Sequence, residues 1–156
     1  MIKIKKEAVL VRPQDMAPSS CDLCILGTLN PAAARLKNGD IVLYVRVIEK
    51  LIVPHDYNHY YSPRCAGKTE CLLEIDKFPK SEITMSSEVD FVFKNGTKRL
   101  TFISHFRKII LDSSGFRIKS MEDKPSFSGV LKDGELGVED PRIVKIGNKY
   151  IMTYVA

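Results

Sequence analysis

The residues best suited to chemistry lie in the segment Gly137-Val138-Glu139-Asp140-Pro141-Arg142. Two adjacent carboxylates precede a proline that disfavours a helix at Asp140, and an arginine follows. A carboxylate at the lip of a cleft can act as a general acid when its pKa is raised. Because successive strand side chains point to opposite faces, we expect Glu139 and Asp140 to diverge, one into a cleft and the other to a partner such as Arg142. The alternative is an ordinary turn in which Asp140 caps backbone N–H groups.

Two histidines lie in the polar, aromatic segment Pro54-His-Asp-Tyr-Asn-His-Tyr-Tyr-Ser-Pro-Arg64. His55 and His59 have a spacing that would place two metal ligands together on a helix, but Pro54 and Pro63 predict a loop. We therefore expect no metal there. Tyrosine and histidine rings can stack on sugar faces, so the loop could line a substrate, or it could be an ordinary surface loop.

The four cysteines present a possible zinc set. Cys21 and Cys24 have zinc-knuckle spacing, and Cys65 and Cys71 could complete the set, although the second pair is unusually wide. Cys24 and Cys71 also lie in strand-like runs, where cysteine is commonly a small buried hydrophobe. Because thiols in the cytosol stay reduced, we expect four reduced cysteines and no bound zinc.

A basic hairpin over residues 91–102 interleaves aromatic side chains with lysine and arginine. This pattern could suit single-stranded nucleic acid. It lacks the glycine and aromatic pattern of an RNA-recognition strand, and its aromatics alternate with polar residues as in a half-buried strand. We expect these rings to pack within the protein and expect no nucleic-acid partner.

The chain as a whole fits a single domain over residues 1–156. Its 156 residues are 44% hydrophobic and 28% charged, and 24 Lys and Arg are interleaved with 19 Asp and Glu. Collagen-like and coiled-coil classes are excluded, because glycine and proline are ordinary in number and no heptads run. No apolar run could span a membrane, and no signal segment follows the basic N-terminus. We expect a cytosolic protein with no membrane partner.

Short apolar runs bounded by turn residues predict an all-β chain without helices. The turns at 37–40, 94–97 and 146–149 offer Asn or Gly where a tight hairpin needs a positive φ. The predicted strands cover residues 8–11, 23–27, 32–36, 41–47, 71–75, 89–93, 99–104, 108–111, 116–120, 142–146 and 150–155.

The chain contains an internal repeat: residues 30–46 align without a gap on residues 140–156. Each copy has a polar residue before proline, a strand, an Asn-containing turn and a second strand with an aromatic near its end. A repeated hairpin that cannot bury its faces alone is typical of a β-propeller blade. The alternative is two unrelated hairpins of similar composition.

The repeat predicts an incomplete ring. Propellers close with about 4–8 blades of roughly 40–50 residues, so this chain has room for about three. A partial ring would expose apolar faces and strand edges. We therefore expect a domain truncated after the blade of the Glu-Asp-Pro-Arg segment, completed by a second half of a split protein or by a homo-oligomer.

Three segments in order resemble glycoside hydrolase family 130, the β-mannoside phosphorylases and mannosidases built on a five-bladed β-propeller. They are Asn30-Pro31-Ala32-Ala33, Val45-Arg46-Val47-Ile48-Glu49, and the Glu-Asp-Pro-Arg segment with the tyrosine-rich strand that follows it. Arg12-Pro13 and Pro18-Ser19-Ser20 are similar to that family's N-terminal segment. The resemblance extends, in order, over most of the chain.

The resemblance implies site residues. In the family the aspartate of the Glu-Asp-Pro-Arg segment is the general acid, acting through a sugar hydroxyl, which matches Asp140. Asn30 and Arg46 match residues that bind the sugar beside the cleaved bond, and we expect Arg142 to bind the substrate as well. The amide of Asn30 can donate and accept, and the planar guanidinium of Arg46 can hold two oxygens. The alternatives are a turn residue for Asn30 and a solvated strand-end residue for Arg46.

The resemblance also implies the function. We expect an enzyme that transfers the mannosyl group of a β-mannoside oligosaccharide to phosphate with inversion, or hydrolyses it, with inorganic phosphate as co-substrate and no cofactor. Phosphorolysis needs one protein carboxylate, because phosphate replaces activated water. The family's phosphate-binding cations come largely from later blades, which makes activity of this chain alone uncertain. The alternative is a non-catalytic carbohydrate-binding or assembly fragment of a split propeller.

Overall fold

The structure, a computed structural model, describes residue 4 and residues 6–52 and 56–156. These residues are all-β, as predicted, with single-turn 3-10 helices at Pro13–Asp15 and Lys80–Glu82 and no α-helix. None of the helical segments among these residues has the length and hydropathy of a membrane span. The strands are β1 (Leu23–Arg35), β2 (Ile41–Leu51), β3 (His59–Cys65), β4 (Leu73–Pro79), β5 (Ile83–Ser86), β6 (Asp90–Phe93), β7 (Lys98–Leu100), β8 (Phe102–Leu111), β9 (Ile118–Met121), β10 (Glu139–Ile146) and β11 (Lys149–Val155).

The largest sheet is antiparallel and has the order β1-β2-β8-β9. Its two central strands, β2 and β8, alternate side chains between two faces. One face forms the main core, made by Met16, Leu43, Val45, Val47, Ile109 and Leu111. The opposite face carries Arg46 and Ser104, whose side chains reach the start of β10.

Strand β1 is longer than predicted. The sequence predicts separate strands at 23–27 and 32–36, whereas the structure has one continuous strand. The Asn30-Pro31 pair does not end it, because the register of β1 against β2 shifts between Leu29 and Ala32 and accommodates the proline as an irregularity. The strand predicted at residues 8–11 is not formed.

Two small sheets, β3-β4 and β5-β6-β7, are inserted between β2 and β8. The loop predicted at 54–64 is wrong over its second half, because β3 pairs with β4 along its length. Tyr60 of β3 stacks on the fully buried Phe91 at 5.2 Å, so the basic hairpin does pack aromatic rings inside. The expected three blades are not confirmed: the described residues contain one four-stranded sheet and the separate β10-β11 hairpin.

The prediction of four reduced cysteines is wrong for one pair. Cys65 and Cys71 form a disulfide, because the pairing of β3 with β4 brings together the two ends of the short connection between them. Neither sulfur of this pair is then a thiolate for zinc. Cys21 and Cys24 are free and exposed, so Cys24 is not the buried hydrophobe that its apolar run predicts.

The two copies of the sequence repeat are both antiparallel hairpins, β1-β2 and β10-β11. Their turns differ in length by one residue. In the alignment of the repeat, Leu29 corresponds to Glu139 and Arg46 corresponds to Ala156. Leu29 pairs with Arg46 in the first hairpin, but Glu139 pairs with Val155 in the second. The first strands therefore correspond as aligned, but the second strands need a one-residue gap, and the tyrosines that match in sequence are not equivalent in register.

Candidate active site

The site is built where the two repeated hairpins meet. Asn30 lies within β1 and Asp140 at the start of β10, and each precedes a proline at a register irregularity of its hairpin. Both have a positive φ, +44° for Asn30 and +46° for Asp140, a region in which Asn and Asp are enriched among non-glycine residues. The repeat thus places an Asn or Asp side chain at the same backbone irregularity in each hairpin.

The site residues predicted from the sequence converge. Asn30 Nδ2 donates a hydrogen bond to Asp140 Oδ1 at 2.7 Å, across 110 residues of sequence. Arg46, on β2, places Nη1 3.3 Å from the same oxygen. Its Nη2 donates to Glu139 Oε1. One amide, one guanidinium and two carboxylates therefore form a single polar cluster.

The expectation that Glu139 and Asp140 diverge is wrong. Regular strand alternation would separate them, but the positive φ of Asp140 breaks the alternation, and both carboxylates reach Arg46. Arg142 does not hold either carboxylate. Its Nη1 donates to the backbone carbonyls of Pro141 at 3.0 Å and of Asp140 at 3.4 Å.

The pKa of Asp140 is lowered from its ordinary value. The largest cause is the hydrogen bond from Asn30, and the nearby charges of Arg46 and Arg142 add to it, while partial desolvation opposes it. In this arrangement Asp140 is an ionised carboxylate. The raised pKa expected of a proton donor at this position is not present.

Arg46 is not the solvated strand-end residue of the alternative reading. It lies in the middle of β2 and is only 7% exposed. Its Nε is buried and has no hydrogen-bond partner among the described residues, whereas both terminal nitrogens are bonded to carboxylates. A buried guanidinium requires such counter-charges, because an unpaired charge in the interior is costly.

The carboxylate segment is seated on β8 by contacts that sequence reasoning missed. Val138 N donates to Ser104 O at 3.0 Å, and Ser104 Oγ donates to Val138 O at 2.9 Å. Gly137 makes this approach possible: its φ is +111°, and a Cβ there would lie 2.6 Å from Ser104 N. A glycine just before the two carboxylates was the available signal.

A second buried polar group lies on the core face of the sheet. Glu49, His105 and Arg107 are nearly or fully buried, and Ser19 donates to Glu49 through its backbone N–H at 2.7 Å. Arg107 Nε donates to His105 Nε2 at 3.1 Å. Burial, with the nearby charge of Arg107, lowers the pKa of His105 to about 3, so this ring is neutral. In the sequence, His105 and Arg107 only interrupt an apolar run, and nothing in that pattern indicates that they are buried beside Glu49.

A cavity of about 750 Å³ lies beside His105. Asn30, Arg46 and Asp140 are not among its lining residues, so it is separate from the carboxylate cluster. It is lined by Ser19, Ser20, Leu23, Cys65, Thr69, Glu70, Cys71, Leu73, Ile103, Ser104, His105, Lys124, Pro125, Ser126, Phe127, Ser128, Val130, Asp133 and Tyr154.

The histidine pair considered as metal ligands is only partly described. His55 lies outside the described residues, and His59 Nδ1 lies 2.8 Å from Asp56 Oδ2 at the start of β3. Within residues 4, 6–52 and 56–156, no three His, Cys, Asp or Glu side chains are grouped as a metal site.

Comparison with known proteins identifies the fold. No protein-family model and no curated protein matches the sequence. Among solved structures, the β-1,2-mannobiose phosphorylase from Listeria innocua, in complex with β-1,2-mannobiose, matches with a TM-score of 0.77. The chain shares the fold of the matched part of this phosphorylase. The match covers 93% of this chain at 24% identity, and the chain spans 41% of the length of the phosphorylase. The all-β class expected from the sequence is therefore confirmed, and the fold is like that of a member of the family that the sequence resembles.

Proposed function

We propose that this chain forms the sugar-binding and proton-donating part of a β-mannoside phosphorylase or glycosidase. The observation that carries the proposal is the convergence of Asn30, Arg46 and Asp140 at one point. The sequence resemblance by itself implies these three residues, and they come from distant parts of the chain. The shared fold with a mannobiose phosphorylase supports the same function.

The proposed reaction is an inverting transfer at the anomeric carbon of a mannosyl group. The bond from that carbon to the glycosidic oxygen breaks, and a bond to a phosphate oxygen, or to water, forms on the opposite face. The departing oxygen takes up a proton that originates from Asp140 and passes through a sugar hydroxyl. One protein carboxylate suffices when phosphate is the nucleophile, so the proposal needs no metal or cofactor.

Asp140 must exchange partners before it can donate a proton. Its carboxylate is held ionised by Asn30 and Arg46, the same residues proposed to bind the sugar. Sugar hydroxyls that take over the Asn30 amide and Arg46 Nη1 would remove the bonds that favour the charged form. Substrate binding would then raise the pKa of Asp140 and allow the carboxyl group to be protonated.

The proposal includes completion of the ring, by further polypeptide or by a second copy of the chain. The β10-β11 hairpin supports this, because apolar side chains on it are strongly exposed: Val144 by 53%, Ile146 by 63% and Ile151 by 42%. Exposed apolar strands of this kind are normally covered by a neighbouring sheet. The cations that phosphorolysis requires would come from the completing part.

Calorimetric titration of the full chain with β-1,2-mannobiose tests the site. We expect binding that weakens about tenfold in Asn30→Ala, the loss of roughly one polar contact. Asp133→Asn is the matched control, because Asp133 is a carboxylate of the separate cavity. Binding that is insensitive to Asn30→Ala but lost in Asp133→Asn would refute the assignment of the site.

An activity assay tests the role of Asp140. Release of mannose 1-phosphate from β-1,2-mannobiose and phosphate is measured for the chain and for Asp140→Asn, alone and with a completing polypeptide. We expect Asp140→Asn to bind the sugar and to lose turnover. A variant with full turnover would refute the acid assignment, and binding without turnover in every combination would leave only a carbohydrate-binding fragment.

A further inference from the structure

Arg46 has two acidic partners where one would neutralise it. Its side chain is 9% exposed, while the side chains of Glu139 and Asp140 are 30% and 40% exposed. Nη2 is bonded to Glu139 and Nη1 faces Asp140 at 3.3 Å. The two contacts use different nitrogens, so either can be broken while the other remains.

The proposed chemistry requires Asp140 to lose its charge. When Asp140 is protonated, it no longer serves as a counter-ion, and a guanidinium buried without one is strongly disfavoured. Such a guanidinium would move out of the site or oppose the protonation. The contact with Glu139 removes this conflict, because that carboxylate is not required to change its protonation state.

We propose that Glu139 is a positioning residue that acts as the permanent counter-ion of Arg46, so that Arg46 keeps its place while Asp140 gains and loses a proton. This inference rests on the proposed function of Asp140. Glu139 acts through Arg46 and is not assigned any contact with the sugar or the departing oxygen.

The other groups that face Asp140 do not substitute for Glu139. Asn30 on β1 is neutral and donates to the carboxylate. Arg142 on β10 is cationic and directs Nη1 to backbone carbonyls. Of the two carboxylates paired with Arg46 in the described part of the chain, Glu139 is therefore the one that can balance its charge when Asp140 is neutral.

The test is the pKa of Asp140, measured by carboxyl ¹³C NMR over a pH titration. In Glu139→Gln, Asp140 becomes the remaining counter-ion of Arg46, so we expect its pKa to fall below the wild-type value. Glu139→Asp keeps the charge and should restore a value near wild type. Glu135→Gln is the matched control, because Glu135 pairs with Arg99 and should leave Asp140 unchanged.

A second background separates this role from direct repulsion between the two carboxylates. The same Glu139→Gln change is made together with Arg46→Met. If Glu139 acts through Arg46, most of the downward shift disappears in this background. The proposal would be overturned if Glu139→Gln lowered the pKa of Asp140 equally in the Arg46→Met background, or if Glu139→Gln alone left that pKa unchanged.

If Arg46→Met does not fold, the guanidinium protons of Arg46 give an independent measurement. In Asp140→Asn, whose neutral amide stands in for the protonated carboxyl group, these signals should remain slowly exchanging near neutral pH, and in Asp140→Asn combined with Glu139→Gln they should be lost. Loss of the signals in Asp140→Asn alone would overturn the inference. None of these measurements needs a sugar, so a protein that binds no mannoside would refute the proposed function by a separate result.

Discussion

Replacing Gly137 with alanine should separate the carboxylate segment from β8. Gly137 has a φ of +111°, which residues with a Cβ adopt only under strain of about 1–3 kcal/mol. The added Cβ would also lie 2.6 Å from Ser104 N and 2.9 Å from Ser104 O, both backbone atoms that cannot turn aside. Relief of this clash requires the segment to move away from the sheet.

That movement has a predictable magnitude. It would break the two hydrogen bonds between Val138 and Ser104, each contributing about 1 kcal/mol. Together with the backbone strain, Gly137→Ala should reduce the free energy of unfolding by about 3–5 kcal/mol. Gly147→Ala is the matched control: its φ is +58° and no atom lies within 4 Å of the added Cβ, so it should cost about 1–2 kcal/mol.

Urea unfolding followed by far-ultraviolet circular dichroism measures both variants. The chain has no tryptophan, so the β signal is the suitable probe. We expect a clearly lower urea midpoint for Gly137→Ala than for Gly147→Ala, with a similar dependence of the free energy of unfolding on urea concentration. Equal losses in the two variants would show that Gly137 does not seat the segment against Ser104.

Three further predictions follow from charges and covalent links. Asn30→Ala removes the largest cause of the lowered pKa of Asp140, so the pKa of this carboxyl group should rise in a ¹³C titration. A carboxyl group whose pKa is lowered by folding contributes stability that is lost as the pH falls. The variant should therefore lose less stability than wild type on acidification below about pH 4. The pKa of His105 is about 3 in the folded protein and 6.5 in the unfolded chain, so on acidification the unfolded chain takes up the proton first. The free energy of unfolding should therefore fall as the pH decreases from 6.5 to about 3, by up to about 1.4 kcal/mol per pH unit. In urea titrations at several pH values, His105→Gln should show a smaller dependence on pH. Reduction with dithiothreitol should lower the free energy of unfolding by about 2 kcal/mol, because the disulfide between Cys65 and Cys71 closes a short loop; an unchanged midpoint would contradict this.

The repeat could be predicted because it depends on local pattern, whereas the site residues could be predicted because they match motifs of the family that the sequence resembles. Asn30 and Asp140 each precede a proline at the same place in a repeated hairpin, and the structure joins them by a hydrogen bond. The relation of Glu139 to Asp140 could not be predicted in the same way. It depends on a single positive φ, which the alternating pattern of a strand does not reveal.

The middle of the chain was harder to predict, because tertiary pairing overrides composition there. His105 and Arg107 interrupt the apolar pattern of β8, so the sequence predicts two short strands at 99–104 and 108–111. The side chains of His105 and Arg107 can be buried because Glu49 of the adjacent strand lies close to both. Likewise, β3 contains Pro63 and reads as a loop, but its partner β4 makes it a strand and brings the disulfide together.

The central claim is that Asn30, Arg46 and Asp140 form one mannoside-binding site. A crystal structure of the protein with β-1,2-mannobiose tests it most directly. We expect a sugar ring within hydrogen-bonding distance of Asn30 and Arg46, with a hydroxyl group directed at Asp140. A disaccharide bound instead in the 750 Å³ cavity beside His105, with those three residues still bonded to one another, would contradict it.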